Sequence, residues 1–199
     1  MLDYSPMSPP LGKPAGFQFP MSPETRRYAG LALMAALALY GIAYMRNPMG
    51  GHLIDGVDLA IHETGHLVFA PFGEIITALG GTLFQLIVPV TFVAYFVRRG
   101  DHLGAAASLW WVGQNCWHIS VYVADARTQQ LPLVGGGEHD WAFLLAEADL
   151  LRSDQGVARL WHAVGTILFL IAMGVGIRAA LRQPPPVEPT ETAGPSLPE

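Results

Sequence analysis

The chain has 199 residues, 51% of them hydrophobic and only 14% charged, with a formal net charge of −5. Soluble domains carry roughly 25% charged residues, so the deficit points to an integral membrane protein. An acidic balance without a basic patch argues against nucleic-acid binding, and one cysteine, Cys116, rules out a disulfide within a single chain.

Residues 1–24 are rich in Pro, Ser and Gly without a period, and read as a disordered tail. They lack the charged start and apolar core of a signal peptide, so no cleavage is expected. Four apolar runs approach the roughly 20 residues that cross a bilayer: Tyr28–Met45, Ile76–Val97, Leu103–Ala124 and Ala158–Ile177. A fifth run, Val57–Phe72, is short for a span and is stopped by Pro71 and Gly73. A short helix of this kind is tolerated at membrane depth where protein surrounds it. Residues 125–141 form a long polar, Gly-rich connection, and Trp141–Leu151 is expected as a short interfacial helix. Residues 183–199 are Pro-rich and acidic and read as a second disordered tail, which leaves 25–182 as one membrane-embedded domain. The expected fold is therefore all-α, a polytopic bundle of four spans plus one short helix.

If the fifth run is re-entrant, Lys13, Arg26, Arg27, Arg98, Arg99, Arg178 and Arg182 share one side of the membrane. Arg46, Arg127, Arg152 and Arg159 share the other, which favours both termini in the cytoplasm.

Within the fifth run, residues 62–66 read H-E-T-G-H. Residues four apart lie one above the other on a helix, so His62 and His66 can reach one metal ion. Glu63 stands beside them, where it can take a proton from water. Zinc suits two nitrogens and a third protein ligand, with a fourth position left for water. Three ionisable residues within five positions of an apolar run would each cost at least about 2.5 kcal/mol in a membrane, which calls for a compensating metal or partners. One zinc ion per chain is the expectation. Asp58, four residues before His62, either orients that ring or is a helix N-terminal acid favoured by the dipole. His52 and Asp55 read as capping or solvated residues.

On the run 103–124, Gln114, His118 and Tyr122 fall four apart, with Asp125 three further on, forming one polar stripe that should face the bundle interior. His118 and Asp125 lie about 10 Å apart along a helix and cannot both hold one ion. His139, with Asp140 as its partner, could fold over the site from the connection, or cap a helix start.

H-E-T-G-H, followed by Gly80-Gly81-Thr82-Leu83-Phe84-Gln85 and then by Asn115 and Asp125, resembles the site-2 protease family of intramembrane zinc metalloproteases. The family's G-P-x-x-N-like segment is matched with Gly81 in place of Pro and Gln85 near the Asn position. Its N-x-x-P-x-x-x-x-D-G-like segment is matched without the Pro and without the final Gly. The resemblance implies that Gln85 places a substrate backbone or a tetrahedral intermediate, and that Asp125 is the third zinc ligand. Without it, Gly80 and Gly81 read as a helix-start turn and Gln85 as a bond to a neighbouring helix. The order G-Q-N, D-A-R, L-P-L and H-D-W over 113–141 is also similar to that of a bacterial membrane family, which lends weight to Asp125, His139 and Asp140. Asp125 ranks first as third ligand, His139 second and His118 third.

The expected function is a zinc-dependent intramembrane peptidase of the bacterial inner membrane, with Glu63 as base and a transmembrane peptide as substrate. Two alternatives stand beside it: hydrolysis of a lipid or other membrane-dissolved amide or ester, and a non-catalytic metal-binding scaffold.

Overall fold

The computed structural model describes residues 22–48, 50–133 and 138–182. Among them are helices and no strands: α1 (Pro23–Arg46), α2 (Leu53–Phe69), α3 (Glu74–Arg98), α4 (His102–Ala124), α5 (Asp140–Glu147) and α6 (Asp154–Leu181), with one-turn 3-10 segments at Ala70–Phe72 and Leu151–Ser153. The expected tails lie outside the described residues except at 22–24. There Ser22 accepts the Thr25 N–H at 3.1 Å and Pro23 opens α1, so the first helix starts slightly before the expected boundary.

Among the described residues, three helices are long and apolar enough to cross a membrane: α1, α3, and α6 with the turn before it. Their outward residues, among them Leu39, Ile87, Leu160, Ile167 and Leu170, are exposed, the reverse of a soluble surface. The run 103–124 does not join this set, although four spans were expected. It forms α4, whose Gln114, Asn115 and His118 lower its mean hydropathy, and it is the most buried of the described helices.

That burial explains the composition. Helix α4 packs along α6 and α3 and also meets α1, so its side chains face protein on most sides. Trp110 and Trp117 join Tyr44, Phe169 and Ala172 in one core cluster. Ile119, Val123 and Ala126 join Trp141, Leu145 and Ala158 in a second, beneath α5. Where α4 crosses α6 the backbones nearly touch: a Cβ on Gly165 would stand 2.6 Å from the Gly113 carbonyl oxygen. Small residues at such crossings allow the close packing that holds membrane helices together.

Helix α2 starts earlier than expected and ends at Phe69. The Asp55 carboxylate accepts the His52 N–H at 2.9 Å and the Tyr44 hydroxyl at 3.0 Å, tying the helix start to α1. A 3-10 turn and Gly73, at φ 94°, reverse the chain into α3. Only glycine adopts that backbone freely, and the tight reversal lays α2 against α3.

Candidate metal centre

Residues 62–66 lie in the C-terminal half of α2, where it crosses α3 through glycines on both sides. A Cβ on Gly65 would lie 2.3 Å from the Gly80 carbonyl oxygen, and one on Gly80 would lie 2.7 Å from the Phe69 Cβ. Gly80 and Gly81 are thus interior residues of α3 rather than the turn that starts it. Gly81 faces the histidines themselves: a Cβ there would meet His62 Nε2 at 2.6 Å and His66 Nε2 at 2.7 Å.

His62 Nε2 and His66 Nε2 are 3.1 Å apart. Asp140 Oδ2 stands 3.1 Å from the first and 3.3 Å from the second. Ligands about 2.05 Å from a tetrahedral zinc lie roughly 3.3 Å from one another, so this triangle has the dimensions of three corners of such a shell. Among the described residues these are the three side chains that could hold a metal ion together.

The other nitrogen of each ring fixes where its proton sits. His66 Nδ1 is 2.8 Å from the Thr77 carbonyl oxygen, which can only accept, so Nδ1 carries the hydrogen. His62 Nδ1 is 3.3 Å from Gln85 Oε1, and Gln85 Nε2 donates to His118 Nδ1 at 3.0 Å. With both Nδ1 atoms protonated, neutral imidazoles turn two Nε2 lone pairs toward a carboxylate oxygen. Three electron-rich atoms at such distances repel unless a cation lies among them. Metal-binding histidines are held by such bonds from their outer nitrogens.

Asp140 reaches the site from the long connection, and several contacts fix it there. The Tyr122 hydroxyl donates to its Oδ2 at 3.2 Å and accepts its N–H at 3.2 Å. Trp141 Nε1 donates to Thr82 Oγ1 at 3.2 Å, pinning the start of α5 to α3. Burial would raise the Asp140 carboxyl, but in the absence of metal a proton on the facing imidazoles lets His62 and His66 donate to it, which outweighs burial and holds the group down at about 2. Asp140 is therefore ionised throughout the neutral range.

The two residues ranked first as third ligand stand behind this arrangement. Asp125 is not brought to His62 and His66. Its Oδ1 accepts from Thr128 Oγ1 at 2.5 Å and from the Gln130 N–H at 2.9 Å, while its Oδ2 accepts the Leu131 N–H at 2.9 Å. A carboxylate at the end of α4 meets the free N–H groups of the turn that follows, and this local demand captures it. His139 caps α5, its Nδ1 accepting the Ala142 N–H at 3.2 Å, and its ring stacks on Tyr122. Its Nε2 points to Asp125 Oδ2 at 3.6 Å. The cap orients His139 so that the next residue, Asp140, faces the histidines. H-D-W carried the signal for Asp140, which stood in the sequence as a functional position and as the partner of His139 rather than as a ligand. His118 accepts from Gln85 and lines the same cavity, but is not one of the three converging side chains.

Gln85, 1% exposed, bridges His62 and His118, which fits its reading as a bond between helices. Asp58 orients no ligand. It is fully buried and its Oδ1 accepts Trp111 Nε1 at 2.8 Å, joining α2 to α4, while the acid at the helix start is Asp55. Glu63 lies on the wall of a cavity of about 1140 Å3 that also reaches His62, His66, Gln85 and Asp140.

Two predictions arise here. Gly81→Ala suits the α3 helix itself, where Ala is favoured over Gly by about 1 kcal/mol. Its methyl group nevertheless falls on both Nε2 atoms, so zinc affinity should drop about tenfold to 100-fold with helicity retained. Unaltered affinity in a metal titration would remove Gly81 from the site. The second concerns pH. Burial raises the Asp125 carboxyl, but Thr128, the N–H groups of Gln130 and Leu131, and His139 together lower it. A carboxyl lowered in the folded state stabilises fully above its unfolded value of about 3.9, and that contribution fades as pH falls through the folded value. Protection of the Gln130 and Leu131 amides from hydrogen exchange should therefore weaken in acid, and Asp125→Asn should weaken it at neutral pH.

No family model, no curated protein and no solved structure matches this chain.

Proposed function

We propose that the protein is a zinc-dependent intramembrane hydrolase, a peptidase resembling the site-2 proteases, with His62, His66 and Asp140 holding the ion. The observation that carries this reading is the convergence of two Nε2 lone pairs and a carboxylate oxygen at 3.1 to 3.3 Å on the wall of a large cavity that Glu63 shares. In this reading α4 is a fourth span, its polar side shielded by α3 and α6, and α2 is a short helix enclosed at membrane depth. Both termini then face the cytoplasm, as the arginine distribution favours.

Zinc, when bound, acts as a Lewis acid and lowers the pKa of its water to about 7. The chain's own residues do the rest. Glu63 accepts a proton from the attacking water and returns it to the leaving amine. Gln85 and the Thr77 carbonyl hold the two rings with Nε2 inward, and Tyr122 keeps Asp140 Oδ2 in place. The cavity would admit a peptide segment, whose C–N bond breaks as the water oxygen bonds to the carbonyl carbon.

The distances also suit a hydrogen-bonded His–carboxylate–His cluster in which one imidazole is protonated, a non-catalytic alternative that holds no metal. Protein purified without chelator, analysed for metal content and by zinc X-ray absorption, distinguishes them. One zinc per chain, bound by two imidazole nitrogens and a carboxylate oxygen, is the expected result. Purified protein without stoichiometric metal that takes up none on titration would sink the proposal.

A further inference from the structure

The cavity beside the metal site has a chemistry of its own, and it narrows what can enter. At about 1140 Å3 it lies just above the range of small-molecule pockets, about 300 to 1,000 Å3, and can take an extended chain segment. Asp55, Glu63, Glu74 and Glu138 line it together with Asp140, and no Lys or Arg is among its described lining residues. These acids come from α2, the start of α3 and the connection before α5, so the negative charge is spread around the cavity rather than confined to one helix. A divalent ion in the site would offset only two of five carboxylates. Between them lie Leu59, Ile119, Leu133 and Phe143, which offer apolar contact. Low-dielectric walls strengthen the field of such a cleft, so it attracts cations and repels anions.

We infer that the cavity binds a peptide segment with basic residues set among apolar ones, and that it rejects acidic peptides and anionic lipid headgroups. This rests on the peptidase reading for what happens to the segment, but its binding preference is a property of the cavity alone. An anionic lipid would place its phosphate among these carboxylates without a cationic side chain to receive it.

The test uses the full-length Glu63→Gln variant in a neutral detergent, with three fluorescent peptides of equal length and apolar content carrying Lys and Arg, Gln, or Glu and Asp. Anisotropy should show the basic peptide bound at least about tenfold more tightly than the acidic one, with the neutral peptide between. In a variant also carrying Glu74→Gln and Glu138→Gln, that difference should shrink while the neutral peptide still binds, which reports that the fold is intact. If this variant does not fold, Glu138→Gln alone, in the connection outside the helices, supplies the comparison. Absence of binding, a preference for the acidic peptide, equal binding, or a basic preference untouched by the substitutions would each overturn the inference. A basic peptide that binds as expected but is left uncut by zinc-loaded wild-type protein would leave the cavity's preference standing and remove the peptidase reading.

Discussion

Asp140→Ala is expected to reduce zinc affinity by about 100-fold or more, the largest effect of any single substitution outside the two histidines. The side chain supplies the only carboxylate oxygen within reach of both Nε2 atoms among the described residues. Removing it leaves two imidazoles that cannot complete a protein shell of three ligands. Asp140→Asn would keep the contact with Tyr122 but lose the charge that balances the ion, so its affinity should also collapse. Asp125→Ala should weaken binding far less, because its carboxylate holds the turn at Thr128, Gln130 and Leu131. Isothermal titration with zinc across these variants gives the order directly. If Asp125→Ala lost zinc and Asp140→Ala kept it, the ligand would be the residue favoured by the family pattern, and the arrangement around Asp140 would need another explanation.

Glu63→Gln is expected to keep the metal and lose hydrolysis by about 100-fold to 10,000-fold, the usual contribution of a positioned general base. The amide is nearly the same size as the carboxylate and can occupy the same place on the cavity wall. It cannot accept a proton, so the loss should fall on kcat with little change in peptide binding. A site that merely holds structural metal has no use for a carboxylate there. Equal turnover by wild type and Glu63→Gln on a peptide that wild type cleaves would assign the base elsewhere. Full zinc occupancy in both proteins is the control that separates chemistry from metal loss.

The sequence made the helical class, the membrane character and the first two candidate ligands legible, because each depends on local pattern. Apolar runs identified α1, α3 and α6 as long membrane-like helices, and a spacing of four put His62 and His66 on one face. By length and apolar count the run of α4 reads as a fourth span, yet its polar residues set its hydropathy apart from that of α1, α3 and α6. Only its packing against α6, α3 and α1 explains why so many amides and histidines can lie inside it.

Asp125 and Asp140 show the same division at a single residue. Both are acids at the ends of a long connection, and the family resemblance favoured the first. Its place at the end of α4 surrounds it with backbone N–H groups that claim both oxygens, whereas Asp140 begins α5 with its carboxylate turned to α2. Gln85 likewise carried two readings, and only the approach of α2, α3 and α4 shows its amide between His62 and His118.

What the sequence determined by itself is set by short range: helix periodicity, hydropathy and the spacing within residues 62–66. What the tertiary structure decided is which distant groups meet, since that depends on glycine crossings, caps and a loop closure spanning 78 residues between His62 and Asp140. No local pattern encodes such a distance, because it is fixed only when the helices pack and their buried polar groups find partners.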